Sequence, residues 1–158
     1  MRYLTLLALP VALALSSGCS INSTKRQYVL AEKLWTDGNY TAAVSEFERV
    51  YSKDPHGKLG MQALFRAATT QAFFLYEYTD AIRKFRTYAE VSDDKQTAWE
   101  AQLQIGEILF SKLELYEQVI QHYQVLLKKK PQSEDAPSFL FRIGKSQFFL
   151  WRFNDAVR

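Results

Sequence analysis

Few side chains in this sequence are capable of chemistry, and their spacing gives them little to do. There is one cysteine, Cys19, and two histidines, His56 and His122. Zinc sites draw on His and Cys in groups of three or four. No His-x-x-x-His or Glu-x-x-His pair exists here and no second Cys, so no metal is expected. No glycine-rich phosphate loop is present. Glu114 and Glu117 stand i, i+3 on a polar turn, where paired carboxylates are usually solvated; general acid–base work needs burial and a cleft. A Ser–His–Asp arrangement is a matter of space, not spacing, and stays open at this point. No catalytic residue and no cofactor is expected.

The bulk composition narrows the classes further. The formal charge is +3, and the Lys and Arg are interspersed with acids, not gathered on one stripe. That is not a nucleic-acid footprint. A single Cys rules out an intramolecular disulfide. With only 6 Gly and 4 Pro, turns are scarce and long helices are favoured.

Cys19 gains meaning from its position. Met1-Arg2 is a short positive start, and residues 3–15 form an uncharged apolar run. That run is short of the roughly 20 residues a membrane-spanning helix needs. Ser16, Ser17 and Gly18 precede the cysteine, which is the layout of a secretory signal. The stretch Leu15-Ser16-Ser17-Gly18-Cys19 resembles the lipobox of bacterial lipoproteins, with its leucine one step early and Ser16 in the place that leucine usually takes. The resemblance implies that residues 1–18 are removed and that Cys19 carries the lipid. Ser20, where an Asp would retain such a protein at the inner membrane, implies an outer-membrane anchor facing the periplasm. Residues 19–24 are expected to be the lipidated Cys and a polar tether.

The elements that would position any binding residue are helices. From residue 25 apolar residues recur at helical spacing, and the chain is self-similar. GNYTAAVSEF (38–47), YEYTDAIRKF (76–85), ELYEQVIQHY (114–123) and WRFNDAVR (151–158) share one pattern. An aromatic (Tyr40, Tyr78, Tyr116, Phe153) is followed by a small or branched residue (Ala43, Ala81, Val119, Ala156), then by Phe47, Phe85 or Tyr123. Upstream of each lies a partner helix centred on a large–small pair: Leu30-Ala31, Ala68-Thr69, Ile105-Gly106, Ile143-Gly144. Stops fall at Asp54-Pro55, Asp93-Asp94 and Lys130-Pro131.

These residues resemble the tetratricopeptide repeat over nearly all of residues 25–158. The resemblance implies an all-α, helical-hairpin repeat solenoid of about three and a half repeats, at 25–57, 62–95, 98–133 and a truncated 137–158. The family period is 34, and stretches such as 56–60, 95–97 and 132–137 are expected to lengthen it as loops. The last copy stops inside its second helix. An exposed apolar patch at Phe149, Phe153 and Val157 is therefore expected, on a fragment or under another chain. Longer repeats of this kind resemble those of envelope lipoproteins, including one in the outer-membrane barrel-assembly machinery.

In that family the first helices line the concave face. The matching positions here are Tyr28, Arg66, Leu103 and Phe141; Glu32, Thr70, Glu107 and Lys145; and Trp35, Phe73, Phe110 and Phe148. They imply a groove with an aromatic floor and a few charges, suited to a protein or peptide partner. The competing reading is that these aromatics pack between neighbouring hairpins. Lys128-Lys129-Lys130 would complement a helix C-terminus.

The expected function is a lipid-anchored periplasmic scaffold with a partner in the cell envelope, possible work in outer-membrane protein assembly, and no enzymatic activity. Two alternatives stay open: a pilotin-like or cell-wall coordination factor, and a regulatory repeat domain with an enzyme beyond residue 158.

Overall fold

Helical periodicity without β-runs demands helices that bury one face each. A computed structural model describes the backbone of residues 16–150 and the side chains of residues 23–150. Seven α-helices follow one another among the described residues: α1 (Ser16–Thr36), α2 (Tyr40–Lys53), α3 (Lys58–Thr70), α4 (Tyr78–Val91), α5 (Lys95–Ser111), α6 (Tyr116–Lys129) and α7 (Ala136–Phe149). A π-helical segment, Gln71–Leu75, continues α3. The backbone of residues 19–24, expected as a tether, is part of α1.

Capping chemistry sets the boundaries. The Asn39 side chain accepts from Ala42 N, and Asp94 accepts from Gln96 N and Thr97 N. These bonds satisfy backbone donors that a helix start leaves open. Pro55 and Pro131 follow directly on Asp54 and Lys130, the residues that cap the C-terminal ends of α2 and α6. Lys128 and Lys129 lie in the last turn of α6, where their charge complements the helix dipole. Residues 58–60 and 95–97, expected as loops, are instead the first turns of α3 and α5.

Each helix packs chiefly on its neighbours in the chain, and α1 also reaches α3. The result is an all-α, helical-hairpin repeat solenoid: α1/α2, α3/α4 and α5/α6 are hairpins, and α7 packs on α6. The second helices anchor it. Ala43, Ala81 and Val119 are fully buried, and so are Phe47 and Phe85, with Tyr123 nearly so. α3 serves both sides. Ala63 and Ala67 join the core of the first hairpin, while Met61, Leu64, Ala68 and Ala72 join the larger core that continues to Ile143.

The turns repeat more faithfully than the helices before them. Gly38, Tyr76 and Glu114 all take left-handed backbone, at φ 78°, 59° and 52°. In the first turn Asn39 N donates to Leu34 O and Gly38 N to Trp35 O, the two bonds of a Schellman stop. Along the first helices, however, the second copy is one residue out of the expected register. Tyr28 meets Phe47 edge-on at 5.6 Å, and Phe65 meets Phe85 the same way at 5.4 Å. Phe65, not Arg66, therefore stands where Tyr28 stands. By the same shift Ala68 replaces Thr69 as the small residue, and Ala72, not Phe73, matches Trp35. The π segment absorbs the extra residue and returns the chain to register at Tyr76. Thr69 and Thr70 donate their hydroxyls to Phe65 O and Arg66 O just before it, a bonding pattern that bends helices. Leu30 is a second correction: it is 47% exposed, so Ala31 alone packs in that pair.

Candidate partner-binding face

Three of the expected groove residues are joined to one another. The Arg66 guanidinium donates to both carboxylate oxygens of Glu32, from Nε at 2.9 Å and from Nη2 at 2.8 Å. It also lies over the Trp35 ring at 4.5 Å. Trp35 is edge-on to Tyr40 (6.0 Å) and to Phe74 (5.4 Å), and Phe74 lies 4.4 Å from Tyr40. Glu32 and Trp35 come from α1, Tyr40 from α2, Arg66 from α3 and Phe74 from its π segment. The cluster is a clamp between the first and second copies.

The clamp recurs one junction further on than its neighbour. Arg142 of α7 bonds Glu107 of α5, which also accepts from Ser111. Arg142 lies 5.7 Å from the Phe110 ring and 5.9 Å from that of Tyr123. Phe110 meets Tyr116 edge-on at 6.3 Å, and Phe149 stacks on Tyr116 at 4.8 Å. Glu107, Phe110, Tyr116, Arg142 and Phe149 thus repeat Glu32, Trp35, Tyr40, Arg66 and Phe74. Burial works to raise the Glu107 carboxyl, but the bonds from Ser111 and Arg142 and the charges of Arg142 and Lys112 hold it below the usual carboxylate range. For Tyr28, burial and then Glu32 push the phenol up. Sequence reasoning missed these pairs, although a signal existed. Glu32 and Arg66 are 34 residues apart, Glu107 and Arg142 are 35 apart, and opposite charges one repeat apart can meet across stacked helices.

The middle junction lacks this clamp. Thr70, expected on the groove, is buried at 1% with its hydroxyl spent on its own helix. Leu103 packs against the main core. Phe73 is turned outward by the π segment and is 47% exposed, beside Tyr76 at 68%. Tyr78 pairs with Tyr76 of its own turn at 6.3 Å.

α7 shows the most apolar surface. Phe141 and Phe148 are 64% and 54% exposed, with Leu140 and Phe149 beside them. They occupy the positions that Tyr28 and Trp35 fill on α1, and α7 is the last described helix. Lys145 lies 5.5–6.0 Å from the rings of Phe110, Phe141 and Phe149. Of the expected patch, Phe149 is exposed as read; Phe153 and Val157 lie outside the described residues.

Elsewhere, a cleft of about 310 Å³ is lined by His56, Lys58, Met61, Tyr88 and Asp94, among others. None of the expected site residues borders it. His122 sits against Gln102 O at 2.8 Å, with the imidazole Nε2 as donor. Burial holds its pKa below the usual histidine value, and burial pushes the Tyr123 phenol up to about 12. Among the described residues no His, Cys, Asp and Glu group is arranged to hold a metal ion. No helix there is long and apolar enough to cross a membrane. The Cys19 side chain lies outside the described ones. Comparison with protein-family models and with curated protein sequences gave no match.

Proposed function

We propose that the chain is a scaffold of the tetratricopeptide type, anchored to a bacterial outer membrane through a lipid on Cys19, which holds a protein or peptide partner on the face of its first helices. The observation that carries this reading is the exposure of Phe73, in the π segment after α3, and of Phe141 and Phe148 on α7, with Lys145 beside Phe141. Exposed aromatics on a solenoid are costly to leave in water and are the usual anchors of protein contacts. The arrangement divides the groove positions by role. Trp35, Arg66, Glu32, Glu107 and Phe110 hold neighbouring copies together, while Phe73, Phe141 and Phe148 offer area to a partner. Outer-membrane protein assembly is the job this architecture and address suit best. The anchor itself rests on the sequence around Cys19.

The test is affinity capture from detergent-solubilised envelope. Wild-type chain is compared with a Phe73→Ala, Phe141→Ala, Phe148→Ala variant of unchanged helicity. A partner that is lost only with the variant supports the reading, and its identity names the machine. A partner held equally by both refutes the proposed face.

A further inference from the structure

The alternation of clamped and unclamped junctions has a chemical consequence. At the first and third junctions a phenylalanine from the next copy covers the tyrosine that opens the preceding second helix: Phe74 on Tyr40 and Phe149 on Tyr116. The counterpart of Tyr40 and Tyr116 at the middle junction is Tyr78, and the residues that would supply its cover are Ser111 and Lys112. Neither is aromatic, and both are exposed. The remaining clamp positions are reduced as well. Thr69 stands for Glu32 and Glu107, Ala72 for Trp35 and Phe110, and Gln104 for Arg66 and Arg142. The middle junction therefore carries smaller side chains than its two neighbours and no covering ring, and Tyr78 meets the Tyr76 of its own turn at 6.3 Å.

We infer that the middle junction is a docking slot for an aromatic side chain of a peptide segment, seated on Tyr78 beside Phe73 with a neighbouring carboxylate paired to Lys112. The partner's ring supplies the contact that Phe74 and Phe149 supply within the chain. Lys112 forms no ion pair within 4 Å among the described residues. Glu107, whose carboxyl feels its charge, is already bonded by Arg142 and Ser111, and Glu77 is held by the Gln71 side chain at 2.8 Å. An incoming carboxylate thus meets a cation not otherwise spent. The inference deepens the proposed function and rests on it.

The experiment uses the full chain in mild detergent, panned against a displayed library of short random peptides. Enriched peptides are then measured by fluorescence polarisation against variants. Lys112→Phe fills the slot with the chain's own ring at a position already exposed, so folding is retained and thermal stability is equal or higher. The expected result is enrichment of an aromatic next to Asp or Glu, with Kd raised about ten-fold or more by Lys112→Phe. Lys112→Ser leaves the slot open and weakens the same peptides about two- to five-fold through the lost charge. Val125→Ala, at an exposed position of the second helix α6, leaves Kd within about two-fold, because additivity holds for distant sites. Binding unchanged in Lys112→Phe, or enriched peptides without an aromatic, overturns the slot. Binding lost in a Phe141→Ala, Phe148→Ala variant but unchanged in Lys112→Phe overturns the slot and keeps the proposed face. Peptides indifferent to all the variants, or no enrichment, overturn both.

Discussion

Arg66→Ala is the perturbation that best separates a structural clamp from a binding residue. Arg66 makes two charge-assisted bonds to Glu32, at 2.9 and 2.8 Å, and covers Trp35 at 4.5 Å. The side chains of the pair are 32% and 35% exposed. Solvent therefore screens the pair, and its ionic part is worth about 1 kcal/mol, the top of the range for exposed pairs, because the geometry is bidentate. The cation over the indole adds about 0.5–1 kcal/mol. The substitution should destabilise the chain by about 2 kcal/mol. In a double-mutant cycle with Glu32→Ala the coupling should be about 1 kcal/mol, and it should shrink in high salt. Arg66→Lys should recover less than half, since an ammonium cannot form the fork or lie flat on the ring. The assay is urea unfolding followed by circular dichroism, with midpoints compared at constant slope. A coupling below about 0.3 kcal/mol, or an Arg66→Ala chain as stable as wild type that no longer binds its partner, would refute the reasoning.

Three other outcomes follow from local geometry. Glu114→Gly should raise stability by about 0.5–1 kcal/mol in the same assay, because Glu114 holds φ at 52° where glycine is unstrained; a loss of stability would mean the turn is not strained. Gly106→Ala should cost about 1–3 kcal/mol despite better helix propensity, since the added carbon would stand 2.5 Å from the Tyr123 ring and hydroxyl; a neutral result would mean Tyr123 gives way freely. Acidification should destabilise the fold through His122. Its folded pKa is depressed by burial, so the unfolded chain binds the proton first. The stability His122 contributes is complete above its unfolded value of 6.5 and falls with pH below that, with a slope of at most about 1.4 kcal/mol per pH unit. His122→Gln should flatten the dependence of the urea midpoint between about pH 7 and 5.5, and an unchanged slope would contradict the burial argument.

Much of the fold was legible because stacking copies a pattern into the sequence. Tyr40, Ala43 and Phe47 return at 78, 81 and 85 and at 116, 119 and 123, and the buried ones bury alike. Proline after Asp54 and Lys130 announced two helix ends. The one-residue shift in the second copy was not legible. Ala67, Ala68, Thr69 and Thr70 are all small enough to be the residue at the close contact, and only the packing of Phe65 on Phe85 tells which one is. The left-handed turns at Tyr76 and Glu114 were hidden for a related reason: glycine marks such a turn at Gly38 and no residue type marks it at the other two. The first-helix positions were legible as a set, but the contacts they make with one another were not. Spacing placed Glu32, Trp35 and Arg66 together; that they grip one another depends on the stacking of α1 on α3.

The most direct measurement on the central claim is site-specific photocrosslinking in intact envelopes. A photoreactive phenylalanine analogue replaces Phe73, which is exposed on the face of the first helices. In a matched chain it replaces Val125, which is 50% exposed on the second helix α6. A discrete crosslinked partner is expected from position 73, weakened by Lys112→Phe, and none from position 125. A partner captured from 125 and not from 73 would place recognition on the second helices and contradict the account.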